Sequence, residues 1–259
     1  MQTGLANRVV IVTGGSSGIG RAAALAFGRE DARVAVTYRA DKEAAASCAA
    51  EIEAAGAAAA AFPFDLGSAG SAADLVRRVT GRWGGLDVLV NCAGGRERNG
   101  PRDGRFEDET AQWRDMLDTD LAGPYALLQA AVPAMRGRGW GRIVLVSSGA
   151  GEEGWEGAAA YAAAKAGLAG LARSLAWELG REGILVNVVA AGLTLTNRVR
   201  RNAPPQVIQA IAGRVPSRRL SDPEDVAELI VFLASAANRN VSGEIVREGS
   251  ATGRSAHAR

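Results

Sequence analysis

Val9-Val10-Ile11-Val12-Thr13-Gly14-Gly15-Ser16-Ser17-Gly18-Ile19-Gly20 stands near the start of the chain, and Arg21 to Arg29 continues it with helical character. Consecutive β-branched residues without polar alternation describe a strand buried on both faces, the pattern of a parallel sheet. A glycine-rich turn that runs from such a strand into a helix points backbone N–H groups and the positive end of the helix dipole at one spot. That geometry suits a phosphate. Tight strand-to-helix turns also use glycine for steric reasons alone, so the turn takes its meaning from its place after the first strand.

Outward from this unit the pattern repeats. Val34 to Tyr38 reads as a strand, Lys42 to Ala55 as a helix, Ala58 to Phe64 as a weaker strand, Ser71 to Arg82 as a helix and Leu86 to Asn91 as a fourth strand. A helical pattern then spans Glu107 to Met135, past Trp113, Met116, Leu117, Leu121, Leu127 and Leu128. Arg142 to Ser147 is the fifth strand, a helix runs from Tyr161 to about Arg181, and Leu185 to Val189 is the sixth strand. An irregular stretch reaches Pro216, and Ser221-Asp222-Pro223-Glu224-Asp225 marks the start of a helix to about Ala237. Gly243 to Val246 offers a last strand. Alternating strands and helices imply an α/β fold, a doubly wound Rossmann-type parallel sheet with helices on both faces. One domain is expected over residues 1–250, with 251–259 a flexible tail.

Composition narrows the chemistry. The 259 residues are 47% hydrophobic, enough for a large core, and 30 Lys+Arg against 28 Asp+Glu leave a net charge of +2. No general field favours nucleic acid or an anionic membrane. Cys48 and Cys92 are the only cysteines, and the single histidine, His257, lies in the polar tail. That inventory excludes a disulfide framework, a Cys/His metal site and Ser-His-Asp hydrolysis. No apolar run approaches a membrane span, and no leader opens the chain, so a soluble, cytoplasmic protein without a bound metal is expected.

The reactive candidates lie in Tyr161-Ala162-Ala163-Ala164-Lys165, where tyrosine and lysine share one helix face. Their head groups are about 6 Å apart along the axis. A free phenol ionises at about 10, and a neighbouring ammonium favours the phenolate and so makes proton exchange at neutral pH easier. A second glycine turn, Asn91-Cys92-Ala93-Gly94-Gly95, ends the fourth strand. Ligands of such sheets bind outside the carboxyl ends of strands where strand order reverses, so both turns face one crevice.

Together these residues resemble the short-chain dehydrogenase/reductase family, over nearly the whole chain to about Gly249. Thr13-Gly14-x-x-x-Gly18-x-Gly20 is similar to the family's cofactor turn, with Ser16, Ser17 and Ile19 inside it, and Asn91, Ala93 and Gly94 match its fourth-strand turn. Ser148 stands before Tyr161 at the family's spacing for the catalytic serine, and Lys165 completes the set. The resemblance implies hydride transfer between a nicotinamide cofactor and a ketone or secondary alcohol. Tyr161 would be the general acid or base, Ser148 would hold the substrate oxygen, and Lys165 would acidify the tyrosine and hold the nicotinamide ribose. Asp65, with Leu66 beside it, resembles the adenine-edge acceptor, and Thr196 the carboxamide-side threonine. At the end of the second strand Tyr38 is followed by Arg39, which suits a 2′-phosphate and favours NADP(H). Asp41 could accept a ribose hydroxyl instead, which keeps NAD(H) open.

Three positions depart from the family pattern. Asp120 stands where an asparagine links the lysine to solvent, and its charge is expected to offset that of Lys165. Ala191 replaces a proline and is expected to loosen the backbone, while Glu248-Gly249-Ser250 replaces Asp-Gly-Gly. The substrate is expected to meet three loops, Gly95 to Arg105, Gly149 to Gly157 and Leu193 to Val215. These hold Arg96, Arg98, Arg102 and Arg105, then Glu152, Glu153 and Trp155, then Arg198, Arg200, Arg201 and Arg214, which would suit a polar or anionic substrate or a phosphate-bearing carrier. The family also implies a homo-oligomer, a dimer or tetramer. Two other readings stay open: a cofactor-binding regulator with little turnover, and a non-redox lyase or epimerase on the same fold.

Overall fold

The structure is a computed structural model and describes residues 2–94, 106 and 110–249. The arginines of the Gly95 to Arg105 loop, Ser250 and the expected tail with His257 lie outside those residues. Within them, the strands β1 (Val9–Thr13), β2 (Arg33–Tyr38), β3 (Ala59–Pro63), β4 (Val88–Asn91), β5 (Gly141–Ser148), β6 (Ile184–Ala191) and β7 (Ile245–Glu248) form one all-parallel sheet. Its order is β3-β2-β1-β4-β5-β6-β7, so successive crossovers reverse direction between β1 and β4. The expected doubly wound Rossmann-type sheet is therefore present, with its crevice where the two glycine turns end β1 and β4.

The helices in chain order are α1 (Gly18–Arg29), α2 (Lys42–Ala54), α3 (Ser71–Trp83), α4 (Thr110–Leu117), α5 (Gly123–Met135), α6 (Ala150–Glu153), α7 (Ala159–Leu179), α8 (Asn197–Asn202), α9 (Pro205–Ala212) and α10 (Pro223–Ala234). Alternate residues of β1 serve opposite faces. Val10 and Val12 pack with Phe27 of α1, Ile52 of α2 and Ile230 of α10. Ile11 packs with Val79 of α3, Leu127 of α5 and Leu168 of α7. Each such side chain contributes roughly 1.5–3 kcal/mol by leaving water, which is why a run without polar alternation is compulsory in a sheet covered on both sides.

The long helix expected from Glu107 to Met135 is interrupted. Asp118–Ala122 forms a π turn between α4 and α5, in which the Gly123 N–H reaches back to the Asp118 carbonyl. Pro124 supplies the cause: it has no N–H to donate to the carbonyl of Asp120 four residues back, and its ring crowds that group, so the turn widens. The Gly149 to Gly157 segment, expected as a loop, contains α6, and the stretch expected to be irregular to Pro216 contains α8 and α9. The first turn of α10 begins where its acidic and proline signal lies, and Asp225 Oδ2 accepts the Asp222 N–H at 2.9 Å.

Ala191, where a looser backbone is expected, is the last residue of β6. It pairs with Ser148 of β5 on one side and Glu248 of β7 on the other. At Glu248 the side chain turns to the connection before α10, where Oε1 accepts the Ser221 hydroxyl at 2.6 Å.

Candidate active site

The crevice is assembled by hydroxyls as much as by glycines. Thr13 Oγ1, at the end of β1, donates to Asn91 Oδ1 at 2.8 Å and accepts the Ala93 N–H at 3.0 Å. The Gly14 N–H donates to Thr37 Oγ1 of β2 at 3.2 Å. Thr13, Thr37 and Asn91 are fully or almost fully buried, so these bonds lock the three strand ends together in a dry setting. Thr37 was not singled out from sequence. A hydroxyl in an otherwise apolar strand was the available signal.

The glycines are required by close approach. A Cβ on Gly20 would stand 2.3 Å from the Gly14 carbonyl oxygen, and one on Gly15 would stand 2.8 Å from Val36 Cγ1. Gly14 has φ +65° and lies against Ala93, so the first turn touches the second. Gly18, with φ +52°, lies against Thr196 Cγ2, which brings the later segment to the same turn. Thr196 caps α8, its Oγ1 accepting the Val199 N–H at 3.3 Å. The turn thus forms a cradle open to a phosphate: Ser17 precedes α1 without a side-chain cap bond, and Ser16 and Ile19 flank it. These residues fit a dinucleotide.

At the far end of β2, Arg39 is exposed and Tyr38 half-buried. Asp41 is already in use as the cap of α2, accepting the Ala44 N–H at 2.8 Å. Asp65 follows β3, and its Oδ1 accepts the Gly67 N–H at 3.0 Å. Leu66 beside it abuts Gly123, where a Cβ would come within 2.6 Å of the Leu66 carbonyl oxygen.

The reactive face combines β4, β5, the π turn and α7. Ser148 is the last residue of β5, and its Oγ accepts the Ala150 N–H at 3.3 Å. Its neighbour Ser147 points the other way and donates to the Lys165 carbonyl at 3.0 Å, tying the strand to α7 at the lysine itself. Tyr161 is half-buried, packed beside Met116, Ala160 and Ala164. Lys165 Nζ lies 5.7 Å from the centre of the Tyr161 ring. The π turn places Asp120, with no exposed surface, so that Oδ2 is 3.4 Å from Lys165 Nζ. Gly94 covers this pair: a Cβ there would fall 3.0 Å from Nζ and 3.2 Å from Asp120 Oδ2. Burial pushes the neighbouring Cys92 thiol up to about 12, with Lys165 opposing the shift, so this cysteine stays protonated and inert. Among the described residues no cluster of His, Cys, Asp and Glu could hold a metal, and no helix is long and apolar enough to cross a membrane.

The charges expected on the substrate loops are partly consumed. Arg200 binds Asp222 at 2.6 Å and the Leu195 carbonyl at 3.0 Å, and Arg201 donates to the Asn197 carbonyl. Glu152 and Glu153 are both paired with Arg247. Arg198 and Arg214 are exposed.

Residues 14–247 match a family model described as enoyl-(acyl carrier protein) reductase, a branch of the short-chain dehydrogenases/reductases. An acetoacetyl-CoA reductase of Rhizobium meliloti is 36% identical over 88% of this chain and 91% of its own length. A 3-oxoacyl-[acyl-carrier-protein] reductase, FabG, of Staphylococcus epidermidis is 32% identical over 93% and 96%. The crystal structure of a dehydrogenase/reductase from Sinorhizobium meliloti 1021 superimposes with a TM-score of 0.86 at 33% identity, covering 96% of both chains. LugOII, a promiscuous reductase described as catalysing keto-reduction at C1 during lugdunomycin biosynthesis, has a TM-score of 0.85 at 31% identity, covering 95% of this chain and 98% of its own.

Proposed function

The chain belongs to the short-chain dehydrogenase/reductase family and is an oxidoreductase of that family, and we propose that it reduces the ketone of a 3-oxoacyl thioester with NADPH. The observation that supports this reading most is Lys165 Nζ lying 5.7 Å from the centre of the Tyr161 ring on α7, with Ser148 as the last residue of the adjoining strand β5. The similarity to an acetoacetyl-CoA reductase and an acyl-carrier-protein reductase supports the substrate class. Bound nicotinamide would supply the hydride. Tyr161 Oη gives its proton to the carbonyl oxygen as that oxygen gains charge, and in the reverse direction takes it back. Ser148 Oγ donates a hydrogen bond to the same oxygen, and Lys165 Nζ holds a positive charge beside the phenol. Gly14, Ser16, Ser17, Gly18, Ile19 and Gly20 would cradle the phosphates, with Arg39 on the 2′-phosphate and Asp65, Leu66, Asn91, Ala93, Gly94 and Thr196 along the rest of the cofactor.

The test is direct. The purified protein, given acetoacetyl-CoA with NADPH or NADH, should oxidise NADPH faster than NADH. Cofactor binding without turnover on any ketone or alcohol of a panel would instead favour a regulator, and product without net cofactor oxidation a lyase or epimerase.

Asp120 sets the tuning. Its Oδ2 lies 3.4 Å from Lys165 Nζ, so the carboxylate competes with the phenol for the ammonium. Asp120→Asn keeps the shape and removes the competitor. Turnover at neutral pH should rise several-fold and the pH–rate profile should move; an unchanged rate and profile would sink this assignment.

We further propose a cytoplasmic homo-oligomer, a dimer or tetramer. α4, the π turn, α5 and α7 expose an apolar groove of about 480 Å³ lined by Leu117, Leu121, Tyr125, Gly167 and Leu171. Tyr125 is 48% exposed, and small residues on α7 allow the helices of a second copy to approach closely. Light scattering should return a multiple of the chain mass, and a monomer would count against it.

A further inference from the structure

The connection from Ser148 to Tyr161 is one of the three loops expected to meet the substrate, yet its own helix is weak. α6 has four residues, a single turn, too short to persist by its own hydrogen bonds. It also carries adjacent like charges, Glu152 and Glu153, on that single turn. Beyond it, Gly154 takes φ +74° and Trp155 is 57% exposed before α7 begins.

Three ties hold this segment. At its start the Gly149 N–H donates to the Ala191 carbonyl at 3.2 Å and the Ala150 N–H to Ser148 Oγ at 3.3 Å. In its middle Gly151 rests on α7: a Cβ there would stand 2.8 Å from the backbone of Lys165 and Ala166. At its end a guanidinium from the far side of the sequence takes both carboxylates. Arg247 of β7 donates through Nε and Nη2 to Glu152 Oε2 at 3.0 and 2.9 Å, and through Nη1 to Glu153 Oε1 at 3.0 Å. Three charge-assisted bonds in one fork fix direction as well as distance.

We propose that Arg247 is a positioning residue for the substrate: by clamping Glu152 and Glu153 it sets α6 and the Trp155 turn over Ser148 and Tyr161. The clamp acts on the carbonyl substrate and not on the cofactor, whose cradle lies across the crevice on β1 and α1. This role rests on the reductase reading for its kinetic consequence, but the clamp itself is measurable without turnover.

The experiment compares Arg247→Ala, Arg247→Lys, the pair Glu152→Gln with Glu153→Gln, and the triple combination, all in the full chain. Hydrogen exchange of backbone amides in 149–158 should speed up at least fivefold in Arg247→Ala and in the Gln pair, with less change in Arg247→Lys. Exchange in the α1 and α10 amides should stay as in the parent. With acetoacetyl-CoA, Arg247→Ala should raise KM about fivefold with kcat within twofold and NADPH affinity unchanged, and the triple variant should be no worse than either parent. Unchanged exchange in 149–158 would overturn the clamp even if the enzyme proved inactive on every ketone. Additive KM effects, or a fall in kcat with KM intact, would overturn its positioning role. Should Arg247→Ala fail to fold, the Gln pair alone gives the same readouts.

Discussion

Tyr161→Phe is expected to lower kcat/KM for the ketone about 1000-fold, the middle of the range in which a positioned general acid contributes. The prediction isolates one atom. The Tyr161 ring packs beside Met116, Ala160 and Ala164, and phenylalanine fills that space equally well. Melting temperature and NADPH affinity should therefore stay close to those of the parent. Only the proton donor is lost, and water reaches the developing oxygen charge less favourably than a fixed phenol does. A loss below tenfold, measured where chemistry limits turnover, would remove Tyr161 from the proton-transfer step and reopen the non-redox readings.

Arg39→Asp should invert the cofactor preference, weakening NADPH about 100-fold while NADH holds or improves. The reasoning starts from what else is available at the end of β2. Asp41, the alternative acceptor for ribose hydroxyls, gives its Oδ1 to the Ala44 N–H in the first turn of α2, and as a carboxylate it would repel an added phosphate. That leaves Arg39, exposed on the crevice side of the strand end, to meet the added phosphate. Losing a charge-assisted fork and gaining a repelling carboxylate costs about 3 kcal/mol, or a factor of about 100 in affinity. Fluorescence titration with both cofactors reads the change without any substrate. Unaltered NADPH affinity would place the phosphate elsewhere and return the choice between cofactors to open ground.

Much of the frame was legible because it is written locally. β-Branched runs announced the strands, and the Asp222-Pro223 signal announced α10. Glycine spacing announced the cradle, since no other side chain fits where Gly20 meets the Gly14 carbonyl. The helix across Glu107 to Met135 misled because its apolar spacing passes through the π turn almost unchanged, while the cause, Pro124, acts on a carbonyl four residues back. The helices α8 and α9 were missed because six and eight residues hold too few turns for periodicity to register. Arg200 looked like a substrate contact until its partner Asp222 came into view from the next connection.

What the sequence determined by itself is the succession of the strands and of the long helices between them, the glycine turn, and a tyrosine and lysine on one face of one helix. All of these depend on neighbours within a turn or two, where backbone geometry fixes spacing. The tertiary structure alone decided the geometry in which Asp120 meets Lys165, and that Arg247 meets Glu152 and Glu153 at all. Asp120 reaches Lys165 because a widened turn rotates it inward beneath Gly94. Arg247 reaches Glu152, 95 residues away, because β7 lies beside β6, which in turn lies beside β5. Such partners are set by strand order and helix register, and no spacing along the chain encodes either.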